Sequence, residues 1–349
     1  MNILLTSAGR RTYMVDWFKK ALSGEGRVFA ANSAVSPAFF NADGYVITPL
    51  IYDGNYIPFL LDFCKKNDID LIVPLFDIDL PVLAAHREEF SKEGVFVLVS
   101  DRDTVNCCND KYSMYLKLWR SGIRCPHTEI NLSQAELSVK AMTMSYPVMV
   151  KPRFGMGSIG VSKAYNKKEL RVLYDICRRS IEESYLKYES RPFTDECVLI
   201  QELREGSEYG LDIVNDLEKN FVTVFIKKKL AMRAGETDEA IILGPCDREY
   251  EILRDLGESI SKAFGHIGNM DVDVIMDTDN MCPYVIDMNA RFGGGYPFSH
   301  MAGADLPRAV VQWLKTGRAD EDCFSVAAHT HAYKDMVIRK CLQTETEFC

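Results

Sequence analysis

The sequence predicts an α/β protein. Two patterns carry that reading. From Asn2 to Val99 short apolar runs alternate with helix-spaced segments, and from Met270 to Arg291 two apolar runs flank a polar turn. Strand–helix alternation builds a parallel sheet with helices on its faces, whereas strand–turn–strand builds an antiparallel hairpin. A chain of 349 residues is long enough for two or three domains.

In chain order, Asn2 to Thr6 is expected as a strand, Ser7-Ala8-Gly9 as a turn and Arg11 to Leu22 as a helix. Arg27 to Asn32, Asp70 to Pro74 and Val95 to Val99 read as strands; Asn55 to Lys66 and Leu80 to Phe90 read as helices. Ligands of such a sheet sit beyond the carboxyl ends of its strands. Those ends carry Ser7, Gly9, Arg10, Asn32, Ser33, Phe76, Asp77 and Asp79, which are mostly turn and cap residues. Arg10 and Arg11 are the candidates there for an anion.

Asp110 is expected to cap a helix that ends near Ser121-Gly122. Lys111 falls in its first turn, where a cation opposes the helix dipole, a local conflict of the kind found at functional sites. Ser133-Gln-Ala-Glu136 reads as a capping box. Pro147 to Pro152 is a buried strand ending in Lys151. Gly155-Met-Gly157-Ser158-Ile-Gly160 matches GxGxxG, but a dinucleotide fingerprint must open a helix at once. Here Val161 to Tyr165 reads as another strand, and a helix starts only after Asn166. The glycines therefore form a strand–loop–strand flap, able to lay N–H groups over phosphates. Leu170 to Tyr188 is expected as one long helix, Glu196 to Leu203 and Phe221 to Lys227 as strands, and Tyr250 to Phe264 and Ala304 to Lys315 as helices. Lys227-Lys228-Lys229 reads as a solvated face. The stretch from Glu205 to Ile213 and the tail beyond Arg318 receive no assignment.

The hairpin has the strongest chemistry. Asp271 and Asp273 share one face of the first strand, and Asp287 and Asn289 share one face of the second. If Asp277 pairs with Pro283, Asp273 stands opposite Asp287. Like charges in that position destabilise a sheet, and a cation removes the penalty. Oxygen donors without His or Cys suit Mg²⁺, which keeps waters and takes phosphates as further ligands. Arg291 comes next on the same alternation, suited to a phosphate oxygen, and Gly293-Gly294-Gly295 lets backbone approach a ligand.

Composition narrows the classes. The formal net charge is −9, against general nucleic-acid binding. Eleven Cys without a CxxC pair or a His cluster read as reduced thiols, consistent with the cytoplasm. The opening apolar run is too short for a signal-peptide core, and no apolar run is long enough to span a membrane.

The ordered set Asp110-Lys111, Val150-Lys151-Pro152, the glycine flap, Gln201-Glu202-Leu203, Glu205-Gly-Ser-Glu208, Asp273 and Ile286-Asp287-Met288-Asn289-Ala290-Arg291 resembles the ATP-grasp superfamily. It is most similar to the branch of the carbamoyl-phosphate synthetase large subunit. The resemblance covers about Asn109 to Gly317 and implies a two-lobed α+β ATP-grasp fold. The opening sheet is similar to the Rossmann-like domain that precedes it. The implied divisions are 1–108, 109–198, 199–318 and a tail, 319–349.

The resemblance also implies roles. Lys111 and Lys151 would hold ATP phosphates, with Gly155, Gly157 and Ser158 closing over them. Gln201 and Leu203 would meet adenine through backbone groups with Glu202 alongside, and Glu208 would accept from ribose hydroxyls. Asp273, Asp287 and Asn289 would bind two Mg²⁺ ions, or Mn²⁺ in their place. Arg291 would stabilise the transferring phosphoryl group, and Arg233 would lie near the phosphates or the acceptor. Two positions depart from the family pattern: Asp287 stands where Glu is frequent, and Ala290 where Pro is usual.

The resemblance implies an ATP-dependent carboxylate–amine ligase acting on small molecules, with a homodimer through the opening domain compatible with the sequence. Phosphoryl transfer needs positioning and charge neutralisation, which accounts for the lysines and for the missing Ser, Cys or His nucleophile. His300, just past the glycines, is read as structural. The rivals are an enzyme releasing an acyl or carbamoyl phosphate and a non-catalytic ATP sensor. A complete carbamoyl-phosphate synthetase would show an internal repeat, and none is found.

Overall fold

The computed structural model describes residues 1–155, 159–277 and 279–338, which form two compact units. The first comprises Met1–Val99 and Asp305–Ser325, with the described residues from Tyr333 onward. Five parallel strands form its sheet, in the order Gly44–Ile47, Val28–Asn32, Asn2–Thr6, Ile69–Pro74, Phe96–Val97. The central strands are buried on both faces, through Ile3, Leu4, Leu5, Leu71, Ile72 and Val73. Burial on both faces is the mark of a helix-covered parallel sheet. The helices are Thr12–Leu22, Tyr56–Lys66, Asp79–Lys92 and Leu306–Thr316. The edge strand Gly44–Ile47 escaped the sequence reading because its alternate residues Tyr45 and Ile47 are exposed, leaving no continuous apolar run. Asp79 is fully buried at the carboxyl end of the sheet, where it accepts from Tyr56 Oη at 2.6 Å.

The second unit comprises Ser100–Ala304 and Val326–Ala332. The compact units thus divide at Val99 and bring the helix Leu306–Thr316 to the opening unit, whereas the sequence order suggested divisions at 108, 198 and 318. One of its sheets has the order Thr128–Glu129, Val198–Glu202, Val148–Pro152, Ser162–Ala164. Helices Leu132–Lys140 and Lys167–Glu182 cover one face through Ala135, Leu170, Cys177 and Ile181 against Val148, Val150, Ala164 and Ile200. Two local expectations are corrected here. Asn131, not Ser133, caps the first of these helices, because its side chain accepts from Gln134 N at 2.9 Å. The helix expected over Leu170 to Tyr188 ends at Glu182 and resumes as a short turn, Lys187–Ser190.

The other sheet has six strands: Cys282–Asn289, Gly268–Asp277, Ser207–Asn215, Phe221–Arg233, Glu236–Ile242, His331–Tyr333. One face packs Tyr209, Leu211, Ile213, Val224, Ile226, Met270, Val272 and Val274 against Leu253, Ile260 and Phe264 of helix Tyr250–Phe264. Alternation then sends Asp212, Lys227, Lys229, Asp271 and Asp273 to the opposite face. Among the described residues no helix is long and apolar enough to cross a membrane.

His266 is fully buried behind this sheet, and its Nε2 donates to Ile213 O at 3.0 Å. Burial holds its imidazole down to about 4, from an ordinary value near 6.5. The unfolded chain therefore binds this proton first as pH falls, so stability is complete above about 6.5 and drains away toward 4. The full loss amounts to roughly 3 kcal/mol. His266→Gln is expected to flatten the urea midpoint between pH 6.5 and 4 relative to the parent. A variant profile as steep as the parent's would assign the acid sensitivity elsewhere.

Candidate active site

The hairpin brings the acids together, by a route the sequence did not show. Asp277 pairs with Cys282, not Pro283, and Val274 pairs with Val285. A bulge at Ile286 then restores Asp273 opposite Asp287 and Asp271 opposite Asn289. Without the extra residue Asp287 would follow Val285 onto the core face; with it, Asp287 and Asn289 join Asp271 and Asp273. Asp212 lies directly across from Asp271 on the next strand.

Lysines meet these carboxylates. Lys111 Nζ donates to Asp287 Oδ1 at 2.5 Å, and Lys229 Nζ to Asp273 Oδ1 at 2.6 Å. Lys227 Nζ pairs with Asp212, which also accepts from Ser299 Oγ at 2.5 Å and Asn269 Nδ2 at 3.2 Å. The solvated-face expectation for Lys227 to Lys229 fails for two of the three. Lys227 and Lys229 turn inward on one face, while Lys228 points the other way toward Glu249. Lys151 Nζ donates to Gln201 Oε1 at 2.8 Å and to Ile286 O, freed by the bulge, at 3.4 Å. Gln201 Nε2 donates in turn to Thr128 Oγ1 at 2.8 Å.

Burial and neighbours set the charges. Burial, reinforced by Lys111, pulls the Lys151 ammonium down to about 8, and Asp287 opposes the shift. Burial pushes the Asp287 carboxyl up, but Lys111, Lys151 and Arg291 outweigh it and hold the group below its ordinary value. Asp271 is pushed up to about 7, first by burial and then by Asp273 and Asp212. Its carboxylate lies against Gly293, where an added Cβ would fall 2.1 Å from Cγ. Gly210 and Gly295 leave similar room for Lys227, each with a virtual Cβ 3.1 Å from Cε. These glycines serve close packing of charged side chains.

The remaining expected site residues are spread around this cluster. Arg291 donates through Nη1 to Phe292 O at 3.0 Å, and its charge reaches Asp271 and Asp287. Glu208 is opposite Ile275, and its charge raises the Lys229 ammonium together with Asp273 and Asp271. Glu202 turns away from Gln201, accepting from Arg204 Nη2 at 2.7 Å, and Leu203 stands just past the strand's end. Gly155 has φ +138°, and Gly157 and Ser158 lie outside the described residues. Arg233 ends its strand 62% exposed and ion-paired with Asp238 at 2.8 Å, rather than with the hairpin acids. His300 approaches Tyr296 Oη through Nδ1 at 3.2 Å.

Sequence reasoning missed Lys229, Lys227, Asp212 and Arg153, and gave Asp271 a face but no role. Strand parity would have found the first two, since alternate residues of an inward-facing strand cannot all be solvated. Among the described residues no three acid, His or Cys side chains are already gathered as a metal cage. The donor set still fits a hard cation: Asp273, Asp287 and Asn289 offer only oxygen on one face, and Mg²⁺ fills its remaining positions with water and phosphate.

Comparison with known proteins shows the family and the fold. The profile of the carbamoyl-phosphate synthase L chain, ATP binding domain matches residues 110–314, and that of the PylC-like N-terminal domain matches residues 3–98. Carbamoyl phosphate synthase large chains are similar in sequence. That of Halomonas eurihalina is 26% identical over 289 residues, covering 78% of this chain and 25% of its own. That of Thermotoga sp. (strain RQ2) is 26% identical over 308 residues, covering 81% of this chain and 26% of its own. The chain thus spans about a quarter of the length of these relatives. In fold it is similar to a biotin carboxylase–β,γ-ATP complex from Campylobacter jejuni, with TM-score 0.74, 18% identity and coverage of 95% of this chain and 74% of that one. It is also similar to L-amino acid ligase from Bacillus licheniformis, with TM-score 0.70, 19% identity and coverage of 94% and 78%.

Proposed function

The chain belongs to the carbamoyl-phosphate synthase L chain ATP-binding domain family, of the ATP-grasp superfamily, and from that premise we propose that it is an ATP-dependent carboxylate–amine ligase, forming a carbon–nitrogen bond through an acyl phosphate. One observation carries the proposal: Lys111, Lys151, Asp273 and Asp287, drawn from separate elements, meet at the bulged hairpin. A substrate carboxylate oxygen attacks the γ-phosphorus of ATP, and ADP departs. The amine nitrogen then attacks the acyl carbon, loses a proton and expels phosphate. Activation is needed because a carboxylate oxygen leaves poorly.

Lys111 and Lys151 hold the phosphates and neutralise the charge that spreads over them in transfer. Arg291 meets the transferring group. Gln201 and Leu203 border the base through their backbone groups, with Glu202 beside it, and Glu208 takes the ribose hydroxyls. Gly155, Gly157 and Ser158 belong to the flap that excludes water, which would otherwise hydrolyse the acyl phosphate. Asp273, Asp287 and Asn289 would hold Mg²⁺, two ions with Mn²⁺ as a substitute, and the metal would supply charge neutralisation at the phosphates. Arg233, on its exposed hairpin, would leave Asp238 to reach the phosphates or the acceptor. The substrates are a small carboxylate and a small amine, without nucleic acid or membrane, in the cytoplasm. The opening unit supplies a homodimer contact.

The experiment incubates the protein with ATP, Mg²⁺ and pooled carboxylates and amino acids, with and without hydroxylamine. Release of ADP and phosphate together with an amide is expected, as is hydroxamate when the trap is present. Hydroxamate with no amide from the untrapped pool would mark an enzyme whose product is the acyl phosphate itself. ATP binding without turnover in any pool would mark a sensor and sink the ligase reading.

A further inference from the structure

Arg153 lies two residues beyond Lys151 and has no part in the proposed chemistry, yet it is among the least exposed charged side chains of the second unit, 6% exposed. Its Nε and Nη2 donate to the two oxygens of Asp110 at 2.7 and 2.6 Å, a two-pronged contact, and Nη1 donates to Glu196 Oε2 at 3.2 Å. The guanidinium carbon lies 4.0 Å from the centre of the Phe193 ring and 5.5 Å from that of Phe154. A flat cation with paired prongs fills such a slot, and a lysine ammonium does not.

The slot controls what lies on either side of it. Asp110 is the N-cap of the helix that begins with Lys111, accepting from Tyr112 N at 3.0 Å and Ser113 N at 3.4 Å. Arg153 O accepts from Lys111 N at 3.1 Å, while Arg153 N donates to Cys197 O at 2.8 Å. One residue thus ties the start of the Lys111 helix to the end of the Lys151 strand, across the 43 positions that separate Asp110 from Arg153. Gly155, at the root of the flap, comes two residues later, and a Cβ there would lie 3.0 Å from Leu186 Cδ1.

We infer that Arg153 is a positioning residue for nucleotide binding: its two-pronged contact with Asp110 sets the spacing of Lys111 and Lys151. The inference rests on the proposed role of those lysines at the phosphates. Both ammonium groups must reach one polyphosphate, so a shift of about an ångström in either segment weakens binding without removing a reacting group. The Asp110–Arg153 pair acts as a unit, and breaking it from either side has one consequence.

The test measures ATP·Mg²⁺ affinity by calorimetry, thermal midpoint, and steady-state ATPase activity for the parent, Arg153→Lys, Asp110→Asn and the double variant. Arg153→Lys and Asp110→Asn are each expected to raise the KM for ATP about tenfold, with kcat within about threefold, as for lost ground-state binding. The double variant is expected to be no worse than the worse single variant. Glu196→Gln, at a carboxylate 46% exposed, retains the fold and is expected to raise KM by about twofold to threefold. It decides the matter if the other variants do not fold. A lowered thermal midpoint with unchanged ATP affinity, or losses that add in the double variant, would make Arg153 a purely structural anchor and overturn the inference. Lys151→Ala separates the two levels. If it binds ATP as the parent does, the phosphate role itself has failed; if it loses binding while the Arg153 and Glu196 variants keep theirs, only the positioning role has.

Discussion

Lys151→Ala is expected to abolish ATP turnover, by about a thousandfold or more, in a protein that still folds. The size comes from where the ammonium sits. Lys151 is 8% exposed, at the end of a buried strand, beside Gln201 Oε1 and the carbonyl that the bulge releases at Ile286. A positive charge in so dry a place is worth more to a phosphoryl group than one in water. The fold survives because the loss leaves two acceptors short of one donor, costing about 1–3 kcal/mol each at most. Urea denaturation establishes folding, and coupled assay of ADP release establishes turnover. Asp287→Ala is expected to act in the same direction, since it removes the partner of Lys111 and one of the oxygen donors together. A steady-state rate within threefold of the parent in either variant would take that residue out of the reaction.

Much of this site is legible from the sequence, and the limits of that reading have physical causes. Lys111, Lys151, Asp273 and Asp287 stand out because each breaks a local rule: a cation in a helix's first turn, a lysine in an apolar strand, two acids facing across a hairpin. Their partners break no such rule. The central strand Ser207–Asn215 went unread because Gly210 and Asp212 leave no continuous apolar run, although Tyr209, Leu211 and Ile213 alternate along it. Those residues are there for the lysines of the next strand: Gly210 pairs with Lys227 in register, and Asp212 neutralises it. Glu236–Ile242 begins with Glu, Thr, Asp and Glu, a polar start that gives no strand signal. The bulge at Ile286 is invisible because its only consequence is a change of face, and parity cannot be read without knowing which residue is left unpaired. Arg153 carries no signal of its own, since the acid that makes it a clamp arrives 43 residues earlier.

Asp212→Ala is expected to be the most destabilising substitution in the second unit. Lys227 is 2% exposed and Asp212 0% exposed as side chains, so the pair is out of water. Removing the carboxylate leaves the ammonium, among the described residues, Ser299 Oγ at 3.5 Å and the charge of Asp271, with no ion pair in hydrogen-bond contact. Breaking a buried pair from one side costs about 3–5 kcal/mol, because the charge left behind has already lost its hydration. For a unit of this size that corresponds to a thermal midpoint lower by roughly 10 °C. Lys227→Met is expected to cost less. Asp212 keeps Ser299 Oγ at 2.5 Å and Asn269 Nδ2 at 3.2 Å as donors, and the methionine chain refills the slot walled by Gly210 and Gly295. The asymmetry is therefore the sharper observable. Asn269 also donates to Arg291 O at 3.4 Å, so loss of Asp212 frees one of the anchors that set Arg291 over the hairpin, and turnover should fall along with the midpoint. Equal midpoints for the two single variants would mean that the neutral donors contribute nothing to holding the Asp212 side chain in place. A midpoint for Asp212→Ala within about 2 °C of the parent, about 1 kcal/mol or less on this scale, would show that water reaches Lys227 and that the pair is not buried in solution.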